Sequence, residues 1–385
     1  MSGSEERLRV GLDVTAVPRQ PTGAGRYTLD LAGALARRED VALTVISRQA
    51  DVERWRWLGD TVAVEPASPE RRPLRLAWEQ VRLPRLLSSL PVQVHHSPHY
   101  TMPEAAKLPR VVTVHDLTFF DHPEWHQRAK APFFRRAIRV AARHADVVVC
   151  VSECTARRLT ELCRPAGEVR VVRHGVDHGR FAPGQPEAGH DEAVLSRLGV
   201  APPYVAFVGT LEPRKDVPTL VRAFDRVAPA HPDLSLVVAG APGWGGRAVE
   251  EAIAGARRRD RITRLGYVAG DAVPALLRRA AAVAYPSLEE GFGLPALEAL
   301  ACGAPLVTTT GSAMEEVSAG AALLVSPGDT DALAGALDMI VRGDQGLETR
   351  RARGLAVAAA HTWEASARGH VAAYHAAVGR GRSRL

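Results

Sequence analysis

The sequence predicts an α/β protein built from two Rossmann-like doubly wound parallel-sheet domains that face each other across a cleft. Three observations support this prediction. The chain has 385 residues, which is more than one ordinary hydrophobic core accommodates. Short apolar runs alternate with helical patterns, as expected of strands buried on both faces. The alternation is interrupted once, by a segment rich in Gly and Pro, and then restarts.

The first series of elements begins with a strand at Leu8–Val14, a loop rich in Pro and Gly, and a helix over Arg26–Arg37. Further apolar runs predict the other strands of this domain: Val41–Ile46, Val92–His95, Val111–Val114 and Val147–Val151. Residues 174–191 then carry four Gly and two Pro with little apolar content. This composition predicts an interdomain linker.

The second series predicts six strands, at Tyr204–Val208, Leu234–Ala239, Ile262–Leu265, Ala282–Tyr285, Leu306–Thr308 and Ala322–Val325. Helical patterns separate them, among them Val217–Val227 and Ala332–Val341. We therefore place one domain at residues 1–180 and the other at residues 190–362. The last helix, residues 363–378, could pack on either domain, including back on the first. In such sheets a ligand binds at the carboxyl ends of the strands, so strand-end loops are the places to look for function.

Composition and charge limit the classes of function that the chain can have. Apolar residues make up 46% and charged residues 24%, as in soluble globular proteins. Residues 1–14 show no apolar stretch of a secretory signal, and the expected location is the cytoplasm. The net charge of +6 favours anionic partners such as nucleotides. Nucleic acid is not expected, because few aromatic residues lie between the basic ones. The four cysteines form no C-x-x-C pair, so neither zinc nor a disulfide framework is expected.

The loop with the clearest chemical pattern follows the predicted strand Ala282–Tyr285 and includes Gly291, Phe292 and Gly293. Glycines there let the backbone approach a ligand, and a helix then begins at Leu294 with a proline in its first turn. Unpaired backbone N–H groups at such a helix start favour an anion.

Two acids, Glu290 and Glu298, accompany this helix start. Carboxylates accept hydrogen bonds from sugar hydroxyls, so two of them beside a phosphate-binding helix start suit a sugar nucleotide. By spacing alone, a Gly-rich turn with a solvated acid on either side explains the pattern equally well.

A basic pair, Arg214 and Lys215, follows the strand Tyr204–Val208. An arginine can bind two phosphate oxygens at once and a lysine acts as a point charge, so the pair suits a diphosphate. An exposed basic turn is the alternative interpretation.

Histidines mark two strand ends in the N-terminal half. His115 follows the strand Val111–Val114 and could donate a hydrogen bond or take a proton, with Asp116 orienting it. A purely structural histidine is the alternative. The triplet His95, His96 and His99 allows a metal-site interpretation, but no acidic cluster accompanies it.

The run Glu290–Glu298 resembles the E-x(7)-E motif of glycosyltransferase family 4, a large retaining family with the GT-B fold, and the surrounding residues EGFGLPALEALACGAPLV resemble the family as well. Other segments resemble it in the expected order: Thr22–Tyr27, His95–Tyr100, Val112–His126, Arg173–Asp177, Gly209–Asp216, Leu265–Val268 and Glu315–Pro327. Together they cover most of the chain and look most like the branch of bacterial polysaccharide mannosyltransferases.

The resemblance implies a role for each candidate residue of the second domain, which would bind the nucleotide sugar. Arg214 and Lys215 would neutralise the donor diphosphate, and Glu298 would bind the ribose. Glu290 would lie near the hydroxyls of the transferred sugar, assisted by the backbone N–H groups of the glycine loop. The full set of implied donor contacts adds Gly209, Tyr267, Val268, Gly291, Phe292, Gly293 and Leu294. Glu289 departs from the family pattern, and its charge could raise the pKa of its neighbour.

For the first, acceptor-side domain, the resemblance implies that the loop containing Gly23 and Gly25 lies over the donor phosphates and the acceptor. His115 would contact the transferred sugar or support the reacting centre. A structural turn explains the glycines nearly as well.

The implied function is transfer of a hexose with retention of configuration, onto a glycan or lipid-linked acceptor in cell-surface polysaccharide or glycolipid synthesis. GDP-mannose is the first choice of donor, ahead of UDP-sugars. No D-x-D-like acid pair lies in a strand-end loop, so neither a metal nor another cofactor is expected. A sugar-nucleotide epimerase, a phosphorylase-like enzyme and a non-enzymatic nucleotide-sugar-binding protein are the alternatives.

Contact with an anionic membrane is a separate hypothesis. Arg71–Leu87 mixes Arg, Trp and Leu, and Phe133 lies among basic residues. Basic helices with an apolar face can lie on anionic bilayers, here at the inner face of the cell membrane. Ordinary amphipathic surface helices explain the same pattern.

Overall fold

The structure is a computed structural model that describes residues 7–184, 186–243 and 246–382. Within these residues the chain divides into two compact units. Unit 1 comprises the chain up to Pro123, Gln127–Gly175 and the segment from Trp363 onward. Unit 2 comprises Glu124–His126 and Val176–Thr362. Residues 1–6, which begin the stretch assessed above for a secretory signal, lie outside the described residues.

Among its described residues, unit 1 contains a seven-stranded parallel sheet in the order β3-β2-β1-β4-β5-β6-β7. Its strands are β1 (Leu8–Asp13), β2 (Val41–Arg48), β3 (Ala63–Ser68), β4 (Val94–Ser97), β5 (Arg110–Val114), β6 (Val147–Cys150) and β7 (Glu168–Val171). The strand order reverses between β1 and β4, and parallel sheets of this type bind ligands at such a reversal.

The described part of unit 2 contains a six-stranded parallel sheet in the order β10-β9-β8-β11-β12-β13. Its strands are β8 (Tyr204–Val208), β9 (Ser235–Ala239), β10 (Ile262–Gly266), β11 (Ala282–Tyr285), β12 (Leu306–Thr309) and β13 (Leu323–Val325). The order reverses between β8 and β11, which are the two strands followed by the basic pair and by the glycine loop.

The helices connect these strands. They are α1 (Ala24–Ala36), α2 (Arg72–Val81), α3 (Leu83–Ser89), α4 (Thr118–Asp121), α5 (Lys130–His144), α6 (Glu153–Cys163), α7 (His190–Leu198), α8 (Val217–Val227), α9 (Gly246–Gly255), α10 (Val273–Arg278), α11 (Leu294–Ala301), α12 (Ala313–Ser318), α13 (Thr330–Arg342), α14 (Leu347–Ala360) and α15 (Trp363–Arg382). Short 3-10 helices lie at Gln49–Leu58, Pro123–Trp125, Pro213–Lys215 and Arg259–Arg261. Within the described residues, no helix is both long and apolar enough to cross a membrane.

The last helix, α15, packs on unit 1. Its buried side chains Ala367, Val371, Tyr374 and Ala377 recur at helical spacing and belong to the core that covers β1 and α1. Gly369 permits this close packing, since a Cβ there would lie 2.7 Å from Cγ1 of Val172.

Two strands, β3 and β7, are absent from the sequence-based prediction. Both lie at the edges of their sheet, and most of their residues are partly exposed. Such strands mix polar with apolar residues and do not give the continuous apolar run of a central strand. Pro66 is tolerated in β3 for the same reason.

The segment predicted as a linker also needs a correction at its end. Asp191 lies in α7, where it is 1% exposed, and its carboxylate accepts two hydrogen bonds from Arg278 at 2.6 and 2.8 Å. The end of that segment is therefore part of the packed structure of unit 2.

Candidate active site

The loop after β8 presents the basic pair at the carboxyl end of the strand. Arg214 and Lys215 lie in the 3-10 helix, and Asp216, with φ 44°, adopts a left-handed conformation that separates this turn from α8. Lys215 is only 6% exposed, and Arg214 is partly buried. The exposed basic turn considered above is therefore wrong for Lys215.

The loop after β11 lies directly against this turn. The backbone N–H of Leu288 donates to the carbonyl oxygen of Arg214 at 2.7 Å. Glu290, in the same loop, is 7% exposed. The two strand-end loops are joined because β8 and β11 are neighbours at the reversal of strand order.

Glu290 accepts hydrogen bonds from both cations, one on each carboxylate oxygen. Arg214 donates from Nη1 to Oε2, and Lys215 donates from Nζ to Oε1. Ser287 Oγ, fully buried, also donates to Oε1 at 3.1 Å. Arg214 Nε donates to Glu212 at 2.8 Å. The acid that sequence reasoning assigned to the sugar is thus also the partner of the cations assigned to the diphosphate.

The electrostatics of this group follow from its burial and its charges. Burial would raise the pKa of Glu290, but the nearby charges of Arg214 and Lys215 outweigh it and lower that pKa to about 2. Burial lowers the pKa of Lys215, and the Glu290 carboxylate opposes this shift. Glu290 is therefore ionised at neutral pH. The raised pKa expected from the neighbouring Glu289 is wrong.

Gly293 shapes the start of α11. It has φ 101°, which favours glycine, and a Cβ there would lie 2.9 Å from Cγ of the fully buried Met314. Helix α11 begins at the next residue, Leu294, with Pro295 in its first turn, as predicted. Phe292 is buried beside it, whereas Gly291 is partly exposed.

Gly209 is held by a backbone contact that the sequence did not indicate. Its N–H donates to Ala239 at 2.9 Å, and a Cβ on Gly240 would lie 1.8 Å from the Gly209 carbonyl oxygen. Gly240 in turn donates to the carbonyl of Gly266 at 2.6 Å. The ends of β8, β9 and β10 therefore pack backbone against backbone.

The remaining candidates of unit 2 lie near these strand ends. Tyr267 and Val268 follow β10; the tyrosine is 57% exposed, and the valine is buried. Glu298 is partly buried on α11. Burial raises the pKa of Tyr285 well above its usual range, and the nearby Glu298 carboxylate adds to this shift. Glu298 thus lies near the end of β11.

In unit 1, His115 follows β5 and is held by one hydrogen bond and by neighbouring rings. Its Nε2 lies 2.8 Å from the carbonyl oxygen of Pro98, which can only accept, so Nε2 carries the proton. Burial lowers the pKa of His115, although the carbonyl of Pro98 and Asp116 oppose the shift. The ring is therefore neutral at pH 7, with Nδ1 as a hydrogen-bond acceptor.

No side-chain hydrogen bond joins Asp116 to His115 in the part of the chain that the structure describes. Its Oδ1 accepts from the hydroxyl of Thr118 at 2.9 Å and from the N–H of the same residue at 3.3 Å. It therefore stabilises the start of α4.

The glycines of the first loop have different environments. Gly23 precedes α1 with φ 49° and is exposed, with nothing within 4 Å of a Cβ built on it. Gly25 is buried, and a Cβ there would lie 3.0 Å from Pro18. Packing within the loop thus accounts for Gly25, whereas the open space at Gly23 leaves room for a ligand.

The histidine triplet does not form a metal site. Within the described residues, no group of three or more His, Cys, Asp or Glu side chains is arranged to hold a metal ion. His96 instead binds Tyr374 through Nδ1 and Thr113 through Nε2, each at 2.8 Å.

These contacts belong to a buried chain of hydrogen bonds that sequence reasoning did not predict. Thr113 Oγ1 lies 2.9 Å from the Tyr27 hydroxyl, which lies 2.7 Å from Nε2 of His370. His370 and Tyr374 are on α15, far along the sequence from the others, so no local pattern relates them.

Comparisons with known proteins agree with this architecture. The family model "Glycosyltransferase Family 4" matches residues 21–180, and "Glycosyl transferases group 1" matches residues 202–342. The chain is 28% identical to the O-antigen chain mannosyltransferase B of Escherichia coli over 362 residues, which cover 89% of this chain and 93% of that protein.

Solved structures show the same fold. Sucrose-phosphate synthase from Thermosynechococcus elongatus has a TM-score of 0.79 at 20% identity and covers 96% of this chain and 98% of its own. HepE from Anabaena, solved in complex with UDP and glucose, has a TM-score of 0.73 at 20% identity, with 95% and 98% covered. With two matched family models spanning most of the sequence, this chain is a hexosyltransferase of glycosyltransferase family 4 with the GT-B fold.

Proposed function

We propose that this enzyme transfers mannose from GDP-mannose, with retention of configuration, to a glycan or lipid-linked acceptor in cell-surface polysaccharide or glycolipid synthesis. The observation that carries the proposal is the group formed by Glu290, Arg214 and Lys215 at the reversal of strand order in unit 2. The similarity to an O-antigen mannosyltransferase supports the choice of sugar.

The cations are suited to the leaving diphosphate. A lysine has three N–H donors, and the contact of Lys215 to Glu290 uses one of them. Fixed cations stabilise the charge that develops on the diphosphate as the glycosidic bond breaks. Because Arg214 and Lys215 supply this charge, we expect transfer without a metal. Activity that a chelator abolishes and magnesium or manganese restores would contradict this.

Glu290 has a double role in the proposal. A carboxylate offers about four acceptor positions, and Arg214, Lys215 and Ser287 occupy three. The remaining position would accept a hydroxyl of the transferred sugar, while the ionised group keeps both cations in place. The N–H groups of Gly291, Phe292 and Gly293 would assist, and Glu298 would bind the ribose.

His115 is assigned to the transferred sugar. As a neutral ring with its proton on Nε2, it can accept a hydrogen bond from a sugar hydroxyl through Nδ1. The leaving diphosphate would assist deprotonation of the acceptor hydroxyl on the face from which it departs, which accounts for retention. Gly23 and Gly25 are proposed to contribute the loop over the donor phosphates.

A donor panel tests the function. GDP-mannose, UDP-glucose and UDP-galactose are compared by release of the nucleoside diphosphate, with and without candidate glycan acceptors. The expected result is release of GDP from GDP-mannose and an α-linked product by NMR. Formation of an isomeric sugar nucleotide without an acceptor would instead indicate an epimerase.

A UDP-sugar is the second candidate donor, because HepE, whose fold this chain shares, was solved with UDP and glucose. Preferential release of UDP in the same panel would select it.

A lipid-linked acceptor would bring the enzyme to the inner face of the cell membrane. Leu74 and Val81 on α2 are 56% and 57% exposed, and Phe133 on α5 is 37% exposed, all with arginines nearby in sequence. Basic helices with exposed apolar residues can bind anionic bilayers. Sedimentation with vesicles of anionic phospholipid at low salt tests this, and an absence of binding would contradict it.

A further inference from the structure

The buried rings behind His115 come from α1, β4 and α15, and we propose that Tyr27, held in place by His370, is a positioning residue for His115. The inference rests on the proposed function, in which His115 acts on the transferred sugar. It adds two residues, 343 positions apart, to the machinery of the reaction.

Tyr27 contacts His115 directly. The two rings meet edge to face, with their centroids 5.0 Å apart and their planes at 79°. Tyr27 has no exposed surface, so a change in its position opens space beside the imidazole. Thr113 lies on β5, and His115 follows the end of that strand two positions later. The Tyr27 hydroxyl is bonded to Thr113, at 2.9 Å.

The protonation of His370 determines which hydrogen bond the Tyr27 hydroxyl donates and which it accepts. His370 Nδ1 lies 2.8 Å from the carbonyl oxygen of Ser366, which can only accept, so Nδ1 carries the proton and Nε2 is the acceptor. The Tyr27 hydroxyl therefore donates to His370 and accepts from Thr113.

The directions of the other hydrogen bonds in this buried network follow from the same reasoning. Thr113 accepts from Nε2 of His96, and Nδ1 of His96 accepts from the Tyr374 hydroxyl. Each donor in this chain of hydrogen bonds thus has one acceptor, with the imidazole rings of His96 and His370 both neutral. This chain of hydrogen bonds begins and ends on α15, and its His370 end holds the Tyr27 hydroxyl directly.

His115 needs this support because its own hydrogen bond does not fix the orientation of its ring. The bond from Nε2 to Pro98 fixes one point of the ring but not its plane. The plane is set by the neighbouring rings, of which Tyr27 is nearer than His174 or Tyr100, whose centroids lie 5.9 and 5.8 Å away. The plane determines where Nδ1 points. A displacement of about 1 Å in a reacting group can lower a rate by roughly 100-fold.

The experiment compares Tyr27→Leu and Tyr27→Phe with a matched control, Tyr374→Phe. The control removes one hydroxyl from the same chain of hydrogen bonds, at a residue that does not contact His115. Steady-state release of GDP from GDP-mannose, or of UDP from UDP-glucose if the donor panel selects it, gives kcat and KM. Thermal unfolding monitors the fold.

We expect Tyr27→Leu to lower kcat about tenfold or more, with the KM for the donor within about twofold of the wild type. Tyr27→Phe keeps the ring but loses its anchor, so its kcat should fall less, by about threefold. Tyr374→Phe should keep kcat within about twofold. Equal losses in Tyr27→Phe and Tyr374→Phe would overturn the proposal.

A double-mutant cycle separates positioning from general damage to the structure. In a His115→Ala background, neither substitution at Tyr27 should lower kcat further, because the group that it positions is gone. A further fall of the same size in that background would show that Tyr27 acts independently of His115. If Tyr27→Leu does not fold, Tyr27→Phe and His370→Phe are put through the same cycle with the same criterion.

The role of His115 in the reaction and the positioning role of Tyr27 are contradicted by different results. Full activity of His115→Ala would remove His115 from the proposed function, and positioning with it. Loss of activity in His115→Ala together with additive effects at Tyr27 would overturn the positioning role alone.

Discussion

Replacing Glu290 with Gln should lower the free energy of unfolding, because the buried Lys215 and the partly buried Arg214 both pair with its charge. The substitution keeps the size of the side chain but removes the charge that both Arg214 and Lys215 contact. Lys215 is then left as a buried cation without its main counter-charge, and removal of one partner from a buried ion pair costs about 3–5 kcal/mol.

The pKa of Glu290 gives an independent magnitude. Its pKa is lowered from 4.5 to about 2, which corresponds to about 3 kcal/mol of stability at pH 7. Because the pKa is depressed in the folded state, this contribution is fully present above pH 4.5 and is lost as the pH falls through 2. By pH 3 roughly half of it should be gone.

Urea unfolding of the wild type and of Glu290→Gln at pH 7 and pH 3 measures this directly. We expect a difference in the free energy of unfolding of about 3 kcal/mol at pH 7, narrowing at pH 3. Glu289→Gln is the matched control, since this acid is adjacent and partly exposed. It should change stability by about 0.5 kcal/mol or less. A Glu290→Gln effect below about 1 kcal/mol, or one equal at both pH values, would refute the reasoning.

Three further substitutions test other parts of unit 2. Lys215→Met should lower kcat about 100-fold or more by removing a fixed positive charge, and nucleoside diphosphate release within threefold of wild type would contradict this. Gly293→Ala should destabilise by roughly 1–3 kcal/mol, since it combines a left-handed φ with a clash against Met314; thermal unfolding checks it. Asp191→Asn should cost about 3 kcal/mol by breaking the buried pair with Arg278 but leave the donor KM unchanged, and a raised KM would refute a purely structural role.

The fold and the loops of the site were largely predictable, because central parallel strands give continuous apolar runs and parallel sheets bind ligands at strand ends. The prediction of two Rossmann-like sheets with the GT-B fold is confirmed. The edge strands β3 and β7 were not predicted, because exposed edge strands mix polar with apolar residues.

The contacts within the site were not predictable in the same way. Glu290 and Lys215 are 75 residues apart, and only the adjacency of β8 and β11 brings them together. A carboxylate between two cations cannot be distinguished by spacing from one that faces solvent. Ser287 could have been noticed as a polar residue just after a buried strand, whereas nothing in the sequence relates Tyr27 to His370.

The position of α15 has a consequence for how the chain is made. Unit 1 receives its last helix only after all of Val176–Thr362 has been synthesised. At about 5–20 residues per second, that interval lasts roughly 10–40 s. During it, Tyr27, Thr113 and His96 lack the partners that α15 supplies, and the apolar surface beneath that helix stays uncovered. Unit 1 therefore cannot complete its core until the second unit has been translated, although most of unit 1 is made first.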